Sequence, residues 1–159
     1  MALVRILVDG YSLLHEWVEL APSLPRHSAA AREELVHILT RYQDADGTPI
    51  TIFFDGVGKK TGMPNSKASS EIEILFSSNG RTADDMIERA AHRFREYGEV
   101  LAVTDDLAER DIVTGLGGNV AGCRNFIAMV QSVLSEFDED LKRHNRTEQH
   151  RFRNNRCAD

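Results

Sequence analysis

Apolar positions along the chain form short continuous runs that alternate with longer segments of helical spacing. Residues 3–8, LVRILV, make a β-type run that stops at Asp9-Gly10. Residues 28–43 predict an amphipathic helix, with Ser28 placed to cap it and Leu35, Val36, Leu39 and Tyr42 at helical spacing. After the Asp46-Gly47 turn signal, ITIFF over 50–54 is a second buried-type strand ending at Asp55-Gly56. Residues 56–70, with Gly56, Gly58, Gly62 and Pro64 and no periodicity, predict a loop that carries Lys59, Lys60 and Lys67. IEILF over 72–76 is a third strand with partial alternation. Residues 82–96 predict a helix with Met86, Ile87, Ala90, Ala91 and Phe94 on one face.

VLAV over 100–103 is a fourth strand, ending at Thr104-Asp105-Asp106. A short helix is predicted over 107–115, and Gly117-Gly118 turns the chain into a fifth strand near 119–121. A final amphipathic helix, 124–136, carries Phe126, Ile127, Val130, Val133 and Leu134 inward; the tail beyond 141 has few apolar residues and is expected to be helical only in part. Strands alternating with helices mean βαβ units, hence an α/β fold with a mostly parallel sheet and helices on both faces.

Length and composition narrow the class. The 159 residues suit one domain with one core, divided here into a domain over 1–140 and a tail over 141–159. No apolar run approaches the roughly 20 residues that span a bilayer. MALVRILVDGYS lacks the three-part layout of a signal peptide, so a cytoplasmic location with no membrane partner is expected. Cys123 and Cys157 are far apart, outside any metal-ligand spacing, and read as reduced thiols. The net charge of −6 hides an asymmetry: residues 141–157 carry +5, from Lys142, Arg143, Arg146, Arg151, Arg153 and Arg156 against Glu148, and the remainder −11. An acidic body with a basic tail suggests a tail that meets a polyanion.

The aspartates carry the chemistry. Asp9 ends the first strand, Asp55 the second, Asp84 and Asp85 follow the third, and Asp105 and Asp106 end the fourth. In a parallel sheet these positions share the carboxyl edge, where open α/β folds bind ligands. Crowded carboxylates must take up protons or be neutralised by a cation. A hard divalent ion with oxygen ligands, Mg²⁺ or Mn²⁺, suits them, and phosphodiester hydrolysis suits such an ion. Basic residues would then offset repulsion of a nucleic acid; Lys59, Lys60, Lys67, Arg81, Arg110 and the tail are the candidates. Structural roles compete at several positions. Thr82 to Asp85 has the spacing of a capping box, one of Asp105 and Asp106 is expected to cap a helix, and Asp9-Gly10 and Asp55-Gly56 also read as turns. His15 and Trp17 read as packing residues. A haloacid-dehalogenase-type phosphatase would need an acid at Tyr11, and a response-regulator receiver a lysine within 119–124, NVAGCR; neither is present.

LVDGYSLLH, IFFDG, ILFSSNGRTADDMIER and LAVTDDLAER, in that order, resemble the YacP-like branch of the NYN-domain family, within the PIN-like nuclease group. The resemblance covers about residues 3–135. It implies a Rossmann-like three-layer α/β/α fold and divalent-metal-dependent endoribonuclease activity on RNA, with ribosome-associated mRNA or rRNA among the candidate partners and no nucleotide cofactor. By motif, Asp9, Asp84 and Asp106 become the catalytic metal-site acids, and Asp105 and Asp55 further ligands. Ser12 stands where the family usually has asparagine and, with Lys142, Arg143 and Arg146, joins the expected substrate-binding set. The reading from a different class is a non-catalytic RNA-binding module on the same fold.

Overall fold

A computed structural model of the chain describes residues 3–56, 72–77 and 80–157, without the side chains of residues 154–157. Five strands, β1 (Leu3–Asp9), β2 (Ile50–Phe54), β3 (Glu73–Phe76), β4 (Glu99–Val103) and β5 (Asn119–Ala121), form one sheet in the order β3-β2-β1-β4-β5. Every pairing is parallel. The chain steps outward one way from β1 through β2 to β3, then crosses to β4 on the other side. The order therefore reverses between β1 and β4, and that junction opens a crevice at the carboxyl edge.

Among the described residues, five helices cover the two faces: α1 (Gly10–Glu16), α2 (Ala29–Asp46), α3 (Ala83–Phe94), α4 (Leu107–Gly115) and α5 (Cys123–Cys157). Alternation along the strands assigns the layers. Ile6, Val8, Ile50, Ile52, Phe54, Leu101 and Val103 pack with α1, α2 and α5, burying Leu13, Leu35, Leu39 and Phe126. Leu7, Phe53, Val100 and Ala102 face the other way, onto Ile87, Ala90 and Phe94 of α3 and Val113 of α4. The expected three-layer α/β/α arrangement is present. Local signals set the helix ends: Ser28 Oγ accepts from Ala31 N at 3.1 Å, and Gly47 closes α2 in the left-handed region at φ 87°.

Two elements depart from the sequence reading. Gly10–Glu16 is a separate helix of two turns, too short for its periodicity to be read. The last helix does not stop near 136 but runs 35 residues to Cys157, so the described part of the tail is helical. Lys59, Lys60 and Lys67 lie outside the described residues. Among the described residues, no helix is long and apolar enough to cross a membrane.

Candidate metal centre

Three carboxylates converge at the β1–β4 junction. Asp9, Asp84 and Glu109 each present an oxygen, and these oxygens lie within 4.8 Å of one another. Asp9 is the last residue of β1 and the N-cap of α1. Its Oδ1 accepts from Ser12 N at 3.4 Å, and the Ser12 hydroxyl bonds the same carboxylate. Ser12 thus orients an acid. Gly10 permits the tight exit from β1: a Cβ there would stand 2.3 Å from Phe54 Cε1.

Asp84 lies in the first turn of α3, which crosses the sheet from β3 and packs over β1, β2 and β4. That turn is held from two sides. Thr82 and Asp85 complete the expected capping box, with Asp85 N donating to Thr82 Oγ1 at 3.2 Å. Asp55 Oδ1 accepts from Ala83 N at 2.5 Å, joining the end of β2 to the start of α3. Asp55 therefore stands one residue from Asp84 as a clamp on its backbone, and is not among the three converging carboxylates.

The acids after β4 divide similarly. Asp106 caps α4, its Oδ1 accepting from Ala108 N at 2.9 Å and Glu109 N at 3.2 Å. Asp105 Oδ1 accepts from Cys123 N at 2.9 Å, fixing the start of α5. Neither belongs to the converging set. The acid that α4 sends into the crevice is Glu109, which the sequence reading did not single out. It follows Asp106 by three, the capping-box interval, so an acid there is explained as a helix-start residue. No signal in the sequence marked it: its burial and the Thr104 hydroxyl that donates to Glu109 Oε2 at 2.9 Å are features of the fold.

Electrostatics follow from burial. Glu109 is 2% exposed and Asp9 7%. Burial, and then Asp84 alongside, pushes the Glu109 carboxyl up to about 9. Burial also raises Asp9, to about 6, against the opposing pull of the Ser12 hydrogen bonds. Glu109 Oε1 is buried with no hydrogen-bond partner among the described residues. A hard cation fits this donor set: three oxygens in reach of one ion, crowded negative charge to neutralise, and a buried oxygen lacking a partner.

Arg81 immediately precedes the Thr82 cap, and Arg110 follows Glu109 in the first turn of α4; neither makes an ion pair among the described residues. Lys142, Arg143 and Arg146 are exposed on the far half of α5. Trp17 is buried as expected, whereas His15 is exposed, its Nε2 3.2 Å from Nε2 of His27. Cys123 is a free, buried thiol.

The chain is similar to the uncharacterized protein YacP of Bacillus subtilis (strain 168), 23% identical over 139 residues, 87% of this chain and 81% of that one. Two crystal structures of Rae1 (YacP) from Bacillus subtilis share its fold. One, of a mutant form, has a TM-score of 0.72 at 21% identity, covering 87% of this chain and 81% of that one. The other has a TM-score of 0.70 at 22% identity, covering 90% and 81%. The family model for the YacP-like NYN domain matches residues 6–158, from the first strand to the end of the last helix, and the chain belongs to that family.

Proposed function

We propose that the protein is an endoribonuclease dependent on Mg²⁺ or Mn²⁺, with Asp9, Asp84 and Glu109 as the acids that hold the ion. The observation that carries this reading is the convergence of their oxygens within 4.8 Å, with Glu109 Oε1 buried and unpartnered among the described residues. A bound ion would supply a lowered pKa for attacking water and countercharge for the phosphate. The chain's own residues do the positioning. Ser12 orients Asp9, Thr104 occupies Glu109 Oε2 and leaves Oε1 for the ion, and Asp55 with the Thr82–Asp85 box holds the turn that bears Asp84. Asp106 holds the turn that bears Glu109 through Oδ1 and serves as a further acid beside the site. Asp105 fixes α5 behind the site. Arg81 and Arg110, at the starts of α3 and α4, are described cations that can meet RNA phosphates, with the lysines of residues 57–71 as further candidates.

Membership of the NYN family, together with the hard-oxygen donor set, supports RNA hydrolysis. Mn²⁺ titration followed calorimetrically, beside cleavage of labelled RNA, tests it with wild type and Glu109→Gln. Saturable binding and cleavage in wild type, both lost in the variant, are expected. RNA binding without cleavage in any divalent ion would instead make the protein a non-catalytic RNA-binding module.

A further inference from the structure

Helix α5 is more than twice as long as the sheet it covers. Its last buried residue is Leu134, and every residue from Ser135 to Thr147 is exposed. Two ion pairs and a cap fix its direction. At the carboxyl edge, Cys123 N donates to Asp105 Oδ1 at 2.9 Å, and Arg124 pairs with Glu16 at 3.1 Å. At the other end, Asp138 pairs at 3.6 Å with Arg41, near the end of α2 where that helix leads into the start of β2. Beyond Asp138 the helix therefore leaves the domain on the side opposite the converging carboxylates. At about 1.5 Å per residue, Lys142 and Arg153 lie roughly 29 and 45 Å along the axis from Cys123.

The cations on this projection are not equivalent. Arg143 approaches Glu139 at 3.8 Å and Asp140 at 4.0 Å, and Arg151 approaches Glu148 at 3.5 Å. Lys142, Arg146 and Arg153 are exposed and have no acidic partner among the described residues. At about 100° per residue, these three fall within about 40° of one line and extend over about 16 Å. Lys142 and Arg146 are four apart, so like charge there opposes the helix. A straight row of unneutralised cations on a rigid rod matches the regular phosphates of a duplex better than a flexible strand. The apolar side, Phe137, Leu141 and Phe152, is too sparse for a helix lying in a bilayer surface.

We propose that Lys142, Arg146 and Arg153 form a second RNA-binding surface, remote from the metal centre, that docks an RNA stem by its phosphates. RNA as the polyanion rests on the function proposed above. A stem held here and also reaching the crevice must span about 10–16 base steps at the roughly 2.8 Å rise of A-form RNA. The row thus selects folded RNA of sufficient length, and the carboxyl edge acts on a strand presented from it.

The test uses the full chain with Lys142→Gln/Arg146→Gln/Arg153→Gln combined, and Arg143→Gln/Arg151→Gln as the paired-charge control. Affinity is read by fluorescence anisotropy in chelator, for a stem-loop of about 20 base pairs and a single strand of about 8 nucleotides, between about 50 and 200 mM salt. The triple variant should bind the stem-loop about tenfold or more weakly, with the logarithmic salt slope reduced by about 2–3 at 0.7–0.9 per lost contact. The single strand should lose about twofold or less, the control should change stem-loop binding by about threefold or less, and melting temperatures should match. Undiminished stem-loop affinity in the triple variant overturns the proposal. So does equal loss in the control, or capture by phosphatidylserine-containing vesicles in place of RNA. Because divalent ion is absent, the outcome does not depend on cleavage: a protein that docks the stem through this row and cuts nothing would overturn the ribonuclease reading alone.

Discussion

Glu109→Gln separates what the carboxylate cluster does for stability from what it does for the metal. In the metal-free protein Glu109 titrates at about 9 against an ordinary 4.5. Between those values the folded chain holds a proton that the unfolded chain has released. Stability is therefore fully present below 4.5 and lost as pH rises through 9. At about 1.4 kcal/mol per pH unit, the loss at pH 7 is on the order of 3 kcal/mol, an upper figure because Asp9 and Asp84 share the same protons. Asp9, raised to about 6, adds a loss over the lower part of the range. Glutamine keeps the shape, accepts from the Thr104 hydroxyl as Glu109 Oε2 does, and carries no titrating proton. In chelator at pH 7 the variant should gain about 2 kcal/mol, or roughly 4–8 °C in a domain of this size. Thermal melts from pH 5 to pH 9 should show wild type declining and the variant declining less. In Mn²⁺ the order should reverse, because an ion held by the wild type alone would stabilise it. A wild-type melting temperature that does not fall between pH 5 and pH 8 in chelator would refute the reasoning, as would a variant that still binds Mn²⁺ with wild-type affinity.

Asp84→Asn should abolish Mn²⁺ binding and RNA cleavage, while the metal-free melting temperature holds or rises by an amount equivalent to about 1 kcal/mol, less a dipole loss of about 0.3–1 kcal/mol; a lower melt with unimpaired cleavage would make it only a helix-start residue. Asp106 can be split into cap and charge. Alanine should lower stability by about 1 kcal/mol, asparagine should restore it, and cleavage should stay at least tenfold down in both; full activity in Asp106→Asn would confine this residue to capping. Gly10→Ala drives a Cβ into the ring of fully buried Phe54 and should cost about 1–3 kcal/mol, read as a melting drop of several degrees, with Mn²⁺ affinity reduced because Asp9 is the preceding residue.

The strands and their shared edge were legible because buried parallel strands are continuous apolar runs, and the first, second and fourth runs lead within two residues to an acid. Edge strand β3 was read from partial alternation, which suits its lesser burial. What escaped did so for physical reasons. Helix α1 spans two turns, so its two buried leucines establish no period. The far half of α5 buries nothing, and a solvated helix has no apolar stripe to reveal it. Aspartates at strand ends all looked alike, and all of them accept hydrogen bonds at helix starts; only the tertiary fold shows that Asp9 alone among them also joins the converging set. Glu109 was hidden for the converse reason: a helix-start acid has a sufficient local explanation, and only the tertiary fold shows it buried against Thr104.

Gly10 bears on how relatives of this chain are to be judged. Its neighbour Phe54 closes the position to any side chain, whether or not Asp9 holds an ion. A homologue that had lost its chemistry would still need glycine there to keep its first crossover, and an acid before it would remain useful as the cap of the next helix. The aspartate-glycine pair is therefore a marker of ancestry and poor evidence of activity. Glu109 has the opposite character: without an ion, a buried carboxylate beside two others is a burden that drift would remove. Glutamate at this position, not the opening motif, is the feature by which active and inactive descendants would be told apart.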